Sequence, residues 1–356
     1  MTTVADDTAP AEAIPVRRPA DGRWLTNTDP ALRRCWHPVA AAADVTETPV
    51  QVTLLGQDWV LVRIDGELVA MEDRCPHRFA PLSFGTVVDG TLECPYHGWR
   101  FDGGGRCVRI PAKAQDIPIP VKARCTVPAG IQERYELIWL APEPPITPLP
   151  AIPEWGDTGL AAVFIPVLDW NATAAQMADN FIDMTHLPFA HRNTIGDPDD
   201  QLMPNYRVDR DGWTFSVVLE HSAKRLADSI APGDEFTRER RRLTFVATAP
   251  HHVYLRIEYL DTGIVMVSTF FHQPVDESTT KLWTWNLRSD IADGRATAAD
   301  AVAFQAAVGA EDRLMLERLK VKAIPLDLTI EMHTNADRAT VELRRLLHEL
   351  IEAAQP

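Results

Sequence analysis

The chain is short of positive charge. Over 356 residues, 35 Lys and Arg stand against 50 Asp and Glu, for a formal net charge of −15. Nucleic acid and anionic membrane surfaces both demand a basic face, so neither is an expected partner. Long apolar runs are missing too: no stretch approaches the roughly 18 residues of a membrane span. The first fifteen residues hold two Asp and one Glu, with no basic opening and no apolar run, so no secretory leader is expected and the expected compartment is the cytoplasm. Cysteine is scarce, at five residues, which fits reduced thiols better than a disulfide framework. There is no internal repeat and no flavin or nucleotide motif.

What is present is organised around two short stretches. Cys75-Pro-His77-Arg-Phe-Ala-Pro-Leu is answered by Cys94-Pro-Tyr-His97-Gly-Trp-Arg-Phe-Asp, with sixteen residues between His77 and Cys94. Each half offers one sulfur and one nitrogen from a tight loop. A structural zinc site is the plain alternative, but zinc-finger spacing keeps the Cys pair together and the His pair together. Mixed halves suit a Rieske [2Fe–2S] centre, in which two His replace two Cys on one iron and raise the reduction potential. Cys35, Cys107 and Cys125 are left over and read as small buried hydrophobes. His37, before a proline among apolar neighbours, reads as a packing residue.

The ligand stretches sit among strands. Val50, Val52 and Leu54 alternate with polar residues, as do Val60, Val62 and Ile64. Asp65-Gly66 and Asp89-Gly90 then supply two-residue hairpin turns. The expectation is a mobile lead-in over residues 1–28 and an all-β Rieske domain over 29–141. A linker follows over 142–153, where six of twelve residues are proline. A second domain spans 154–356. It opens with a helix over Asn171–Ala190 and continues as strand-patterned segments at 206–220, 243–247, 253–259, 264–271 and 282–287. Helices close it over about 297–321 and 334–353. Strands in a run followed by helices indicate an α+β domain with an antiparallel sheet.

The opening helix carries Asn180, Asp183 and His186 at i, i+3 and i+6, roughly one face, with His191 beyond Pro188. On a straight helix His191 would point about 140° away from His186. The proline lets the chain turn so that both imidazoles can converge. Two His and one carboxylate with open positions form the site of non-haem Fe(II) oxygenases. Asn180 and Asp183 are candidate catalytic residues beside the pair. The carboxylate must come from elsewhere. Glu311 and Asp312 flank the apolar stripe of Phe304, Val308, Met315 and Leu319 about equally, and periodicity does not choose between them. Arg238, Arg240, Arg241 and Arg242 form a basic run that reads as a solvated strand entrance, or as a docking patch for an acidic electron donor.

With both motifs in view, the chain resembles the oxygenase (alpha) component of a Rieske non-haem iron oxygenase. Its first ligand loop and its length are similar to the vanillate O-demethylase and dicamba monooxygenase branch. The resemblance rests on the two ligand loops, on Asp183-x-x-His186-x₄-His191 and on Glu-Asp-Arg-Leu-Met-Leu-Glu from residue 311. It implies a Rieske β-domain followed by a helix-grip catalytic domain. It implies Cys75, Cys94, His77 and His97 as cluster ligands, and His186, His191 and Asp312 as ligands of a mononuclear Fe(II). It also implies Asp183 as a bridge to a cluster His of the next subunit in a head-to-tail homotrimer. Electrons would come from NAD(P)H through a separate reductase, alone or with a ferredoxin, and O₂ would be co-substrate. Monohydroxylation of a methoxy or N-methyl carbon would give net demethylation of a small, ring-containing substrate. The same scaffold supports cis-dihydroxylation, N-oxygenation and ring closure, so fold alone does not fix the chemistry. A Rieske electron carrier without catalytic iron, and a zinc-stabilised binding module, are the rival classes. His251, His252, Phe270, Trp283, Trp285 and Asn286 are the candidate pocket residues.

Overall fold

The computed structural model describes residues 24–224 and 238–355. The N-terminal part is a set of small antiparallel sheets. Val50–Leu54, Gln57–Ile64 and Glu67–Glu72 form a meander, with Asp65 and Gly66 both at positive φ in its second turn. Thr86–Val88, Thr91–Glu93, Arg100–Phe101 and Cys107–Arg109 form a second sheet around the Asp89-Gly90 turn. A third sheet places Leu137–Ala141 between His37–Ala41 and Gly130–Arg134. Its hairpin turns at Tyr135-Glu136, both at positive φ without a glycine, so its sequence carried no turn signal.

The C-terminal part is a seven-stranded antiparallel sheet. Its order is Ala161–Trp170, Thr280–Arg288, Val265–Pro274, His252–Tyr259, Arg238–Thr248, Thr214–Lys224 and Val208–Asp211. Helix α1 (Ala174–Ile182) lies across this sheet, followed by the short α2 (Leu187–Ala190) and α3 (Ser289–Ala292). The long α4 (Ala298–Leu316) and α5 (Arg338–Ala354) complete the domain. A Thr173–Gln176 capping box starts α1, so it begins three residues after Asn171.

Three expectations need correction. The lead-in does not extend to residue 28: Trp24–Leu25 pairs with Ile324–Pro325, and the buried Asn27 donates to Thr280 Oγ1 at 3.0 Å. Residues 1–23 lie outside the described residues. The proline-rich stretch, expected as a semi-rigid linker, is fastened to the N-terminal part. Glu143 and Ile146 amides bond to the Arg33 and Arg34 carbonyls, and the Ile152 amide bonds to the Tyr135 hydroxyl. The single helix over 171–190 is two helices. The break falls at Asp183, five residues before Pro188, because Asp183 turns extended and its Oδ1 accepts from the Thr185 amide and hydroxyl, both at 2.8 Å.

The two parts share one aromatic seam. Trp36, Tyr135 and Trp139 pack with Tyr254, Phe271, Trp283 and Trp285 in a single buried cluster. The Trp285 indole donates to the Tyr135 carbonyl at 3.0 Å, tying the sheet to the N-terminal domain. Among the described residues no helix is long and apolar enough to cross a membrane.

Candidate metal centres

The two cysteine loops have one construction. In each, the Cys amide bonds to the carbonyl five residues on (Ala80, Trp99), and the Cys carbonyl accepts from the amide four residues on (Phe79, Gly98). That fourth residue must adopt positive φ in both loops: 59° at Phe79 and 64° at Gly98. The hairpins bring the rings of His77 and His97 to 4.5 Å, with Trp99 stacked on His77 at 4.6 Å. Asp73 braces the first loop, accepting from the Ser83 amide and hydroxyl. The Cys75 and Cys94 thiols lie beneath, 1% and 2% exposed. Burial pushes the Cys75 thiol up to about 11. His77 Nδ1 is buried with no protein partner. Two buried thiols and two adjacent imidazoles, one with an orphaned nitrogen, are the donor set that a two-iron cluster with mixed ligands requires, so the residues fit it.

The second centre is assembled from α1, α2 and α4. His186 Nε2 and His191 Nε2 approach to 3.2 Å. Asp312 Oδ1 lies 3.0 Å from His191 Nε2 and 3.4 Å from His186 Nε2. All three donor atoms fall within 4.8 Å of one another. The opposite nitrogens are taken: His186 Nδ1 faces Asp183 Oδ2 at 3.2 Å, and His191 Nδ1 faces Glu311 Oε2 at 3.0 Å. A neutral imidazole that donates through Nδ1 presents a lone pair at Nε2. Two lone pairs and a carboxylate oxygen aimed at one point repel unless a cation, a proton or a metal ion, sits among them. Carboxylate-backed imidazoles are how proteins orient metal-binding His, so these residues fit a mononuclear iron.

The electrostatics follow from this geometry. Burial lowers the basicity of His186, but Asp183 and Asp312 on its two sides outweigh that and push it up to about 9. Burial raises Asp312, yet contacts from His186, His191 and Asn180 hold it at about 2. Asp183 is likewise held below the usual carboxylate range, against burial, by His186 and Thr185.

Asn180, Asp183, His186, His191 and Asp312 are therefore brought together. Asn180 Nδ2 donates to Asp312 Oδ1 at 2.7 Å, so it holds the carboxylate in place. The tie between Glu311 and Asp312 dissolves, because both are used: Asp312 faces the Nε2 pair and Glu311 backs His191. Glu311 also accepts from Thr194 Oγ1 at 2.6 Å. Sequence reasoning missed that backing role; two adjacent acids at one stripe boundary were its signal.

The six pocket candidates divide. Phe270 stacks on Phe181 of α1 at 4.4 Å, and Asn286 Nδ2 reaches Gln305 Oε1 of α4 at 3.5 Å, both on the α1 side of the sheet. Trp283 and Trp285 point the other way, into the seam with the N-terminal domain, because alternate strand residues face opposite sides. His252 joins them there, with Nε2 on the Trp36 carbonyl. His251 is buried beside His37, with both ring nitrogens unpaired. Of the two readings of the arginine run, the strand entrance fits: the strand begins at Arg238, and the exposed arginines are paired. Arg238 pairs with Asp200 and Asp197, Arg240 with Asp261 and Arg242 with Glu220, while Arg241 is buried over Tyr259.

A mixed-ligand iron–sulfur domain joined to a separate His₂-carboxylate centre defines a class, the iron oxygenases fed by a built-in redox cluster. Residues 35–129 match the model of the Rieske [2Fe-2S] domain, and residues 170–353 that of the vanillate O-demethylase oxygenase C-terminal domain. Methylxanthine N1-demethylase NdmA of Pseudomonas putida is 32% identical over 330 residues, 90% of each chain. The oxygenase component of dicamba O-demethylase from Stenotrophomonas maltophilia is 38% identical over 62% of this chain and 68% of its own length. The solved structure of NdmA with caffeine superposes with a TM-score of 0.78 at 30% identity, covering 92% of this chain and 93% of that one. The chain belongs to the Rieske non-haem iron oxygenases, in the branch with a vanillate O-demethylase-type catalytic domain. It is an oxidoreductase of the kind that serves as oxygenase component in multicomponent systems, using a [2Fe–2S] cluster, iron and O₂.

Proposed function

We propose that this oxygenase removes a methyl group from nitrogen or oxygen on a small aromatic or heteroaromatic ring by hydroxylating the methyl carbon. The observation that carries the proposal is the convergence of His186, His191 and Asp312, each imidazole backed by its own carboxylate. The relatives named above act on methylxanthines and on dicamba, by their names. The carbinol left after insertion of one oxygen atom would lose formaldehyde, giving net demethylation. The second oxygen atom would leave as water, with two electrons and two protons supplied.

In this reading Cys75, Cys94, His77 and His97 would hold the cluster, and His186, His191 and Asp312 would hold the iron. When bound, the cluster and iron supply one-electron transfer and open coordination positions for O₂. The chain's own residues do the rest. Asn180 fixes the Asp312 carboxylate, and Asp183 and Glu311 fix the two imidazoles in the tautomer that leaves Nε2 free. Phe181 and Phe270 form a flat wall on the α1 side of the sheet, and Asn286 with Gln305 offers amide groups to ring heteroatoms.

The assembly proposed is a head-to-tail homotrimer, a heterologous interface that closes. Asp183 lines a cleft of about 350 Å³ with Asp179, Glu331, His333 and Arg344. The exposed His97, with exposed Tyr96 against it at 3.9 Å, is the edge of a neighbouring chain suited to meet it. With ferrous iron supplied to saturation, so that weaker backing of His186 does not empty the site, Asp183→Asn should hold both metals and stop turnover. Turnover at the wild-type rate in that variant would end the bridging role.

The demethylation test is donor-coupled O₂ uptake and formaldehyde release across a panel of methylxanthines and methoxybenzoates. Formaldehyde in step with O₂ is the expected result. O₂-coupled conversion of substrates in which the methyl group survives would replace demethylation by ring hydroxylation or dihydroxylation.

A further inference from the structure

We propose that a basic strip on the N-terminal domain, made by Arg106, Arg109, Lys113, Lys122 and Arg124, is the landing surface for an acidic electron-carrying protein. The inference rests on the proposed function, which requires a separate donor. Residues 104–124 hold these five cations and one acid, Asp116, for a local charge of 5 − 1 = +4 in a chain of net charge −15. All but the half-buried Lys113 are exposed. None of the five makes an ion pair with a described carboxylate, unlike Arg238, Arg240 and Arg242. Asp102, the nearest acid in sequence on the other side, accepts from the Gly104 and Arg106 amides and keeps its charge, and with it counted residues 102–124 still carry 5 − 2 = +3. The Lys113 ammonium is held by the Ala114 and Ile117 carbonyls, which leave its charge in place.

The fold holds this charge together at a cost. Arg106 and Arg124 face each other as bridge partners, and Arg109 is the partner of Arg100. Like charges directly opposite one another across a ladder are destabilising. The Arg100 charge is answered by Glu93 and Asp89; those of Arg106, Arg109 and Arg124 are not. Exposed apolar side chains stand among them: Val108, Ile117 and Val121, the last 92% exposed. A cationic surface with apolar anchors is suited to a small, fast-exchanging contact with a negatively charged partner.

The strip also lies over the cluster site. Cys107 and Cys125 face inward from the same two segments and share a core with Cys75 and Cys94. Pro111 sits against Gly98 of the second ligand loop. A donor seated here meets the thiolate side of the cluster and leaves the His77–His97 edge free for a neighbouring chain.

The test uses the full-length, cluster-loaded protein and a plant-type acidic [2Fe–2S] ferredoxin, reduced beforehand, as donor. Stopped-flow absorbance follows reduction of the oxygenase cluster at low and high salt. Charge reversal at Arg106→Glu, Arg109→Glu and Lys122→Glu together should lower the second-order rate about tenfold or more at low salt and flatten its salt dependence. Arg240→Glu should behave as wild type. Photoreduced deazaflavin, a small donor, should reduce every variant equally. Should the triple variant lose its cluster, Arg106→Gln with Lys122→Gln gives a milder version, with a threefold or larger loss expected. An unchanged rate in the variants, an equal loss in Arg240→Glu, or a wild-type rate that rises with salt would overturn the strip. A wild-type protein that deazaflavin fails to reduce would overturn the cluster assignment instead.

Discussion

The two candidate metal centres are built in opposite ways. The four cysteine and histidine donors of the N-terminal domain lie within residues 75–97, on two loops whose own backbone bonds shape them. The three donors of the second centre are spread over residues 186–312, and no local bond pattern brings Asp312 to His191. The first centre is a loop property; the second is a property of how α4 packs beside α1 and α2. A loop-made site resists distant change. A packing-made site depends on residues that touch no metal, here Asn180, Glu311 and Asp183.

The largest effect that tests this contrast is a double dissociation. Asp312→Ala should reduce turnover to background while the visible cluster spectrum is unchanged. Cys94→Ser should abolish the spectrum while iron at the second centre survives chelation as in wild type. Loss of the cluster in Asp312→Ala would mean that the centres are not separately built. Next in size is Glu311→Gln, which weakens the backing of His191 and should cost about 10–100-fold in iron affinity or turnover. A titration with ferrous iron reads it directly, and wild-type affinity would demote Glu311 to a surface acid.

Asn180→Ala should cost less, about tenfold in turnover, because one hydrogen bond to a charged group is lost while the donors remain. A steady-state comparison with Asn180→Asp, which places a second carboxylate beside Asp312 and should be worse, checks it. Smallest is a stability difference between the twin loops. Gly98→Ala forces a side chain into positive φ with its Cβ about 3.1 Å from Pro111, and should cost about 1–2 kcal/mol. Phe79→Gly relieves the same conformation but loses the cation–π contact with Arg74 at 5.2 Å, so it should be near neutral. Thermal melts of the loaded protein separate the two; a destabilised Phe79→Gly would show that the rim contact outweighs the backbone.

The same contrast explains what the sequence made legible. Period-two alternation and Asp-Gly turns revealed the N-terminal hairpins because their signals are local. The catalytic sheet was visible as strand segments, though Arg238–Thr248 begins five residues before its apolar run, since charge occupies both faces there: Arg238, Arg240 and Arg242 are exposed, while Glu239 and Arg241 are buried against Thr262 and Tyr259. The Tyr135-Glu136 turn was hidden because it lacks glycine. The break in α1 was assigned to Pro188, whereas the Asp183 side chain makes it earlier. Which face of the sheet meets α1 could not be read from single strands, so Trp283 and Trp285 were placed beside the iron when they fill the domain seam. The choice between Glu311 and Asp312 was beyond periodicity because packing recruits both.

Metal and sulfide analysis of the anaerobically purified protein bears most directly on the existence of two separate centres. The account predicts three irons and two sulfides per chain in the wild type, and two of each in Asp312→Ala with the same spectrum. Two irons in the wild type, with the spectrum of a full cluster, would contradict it.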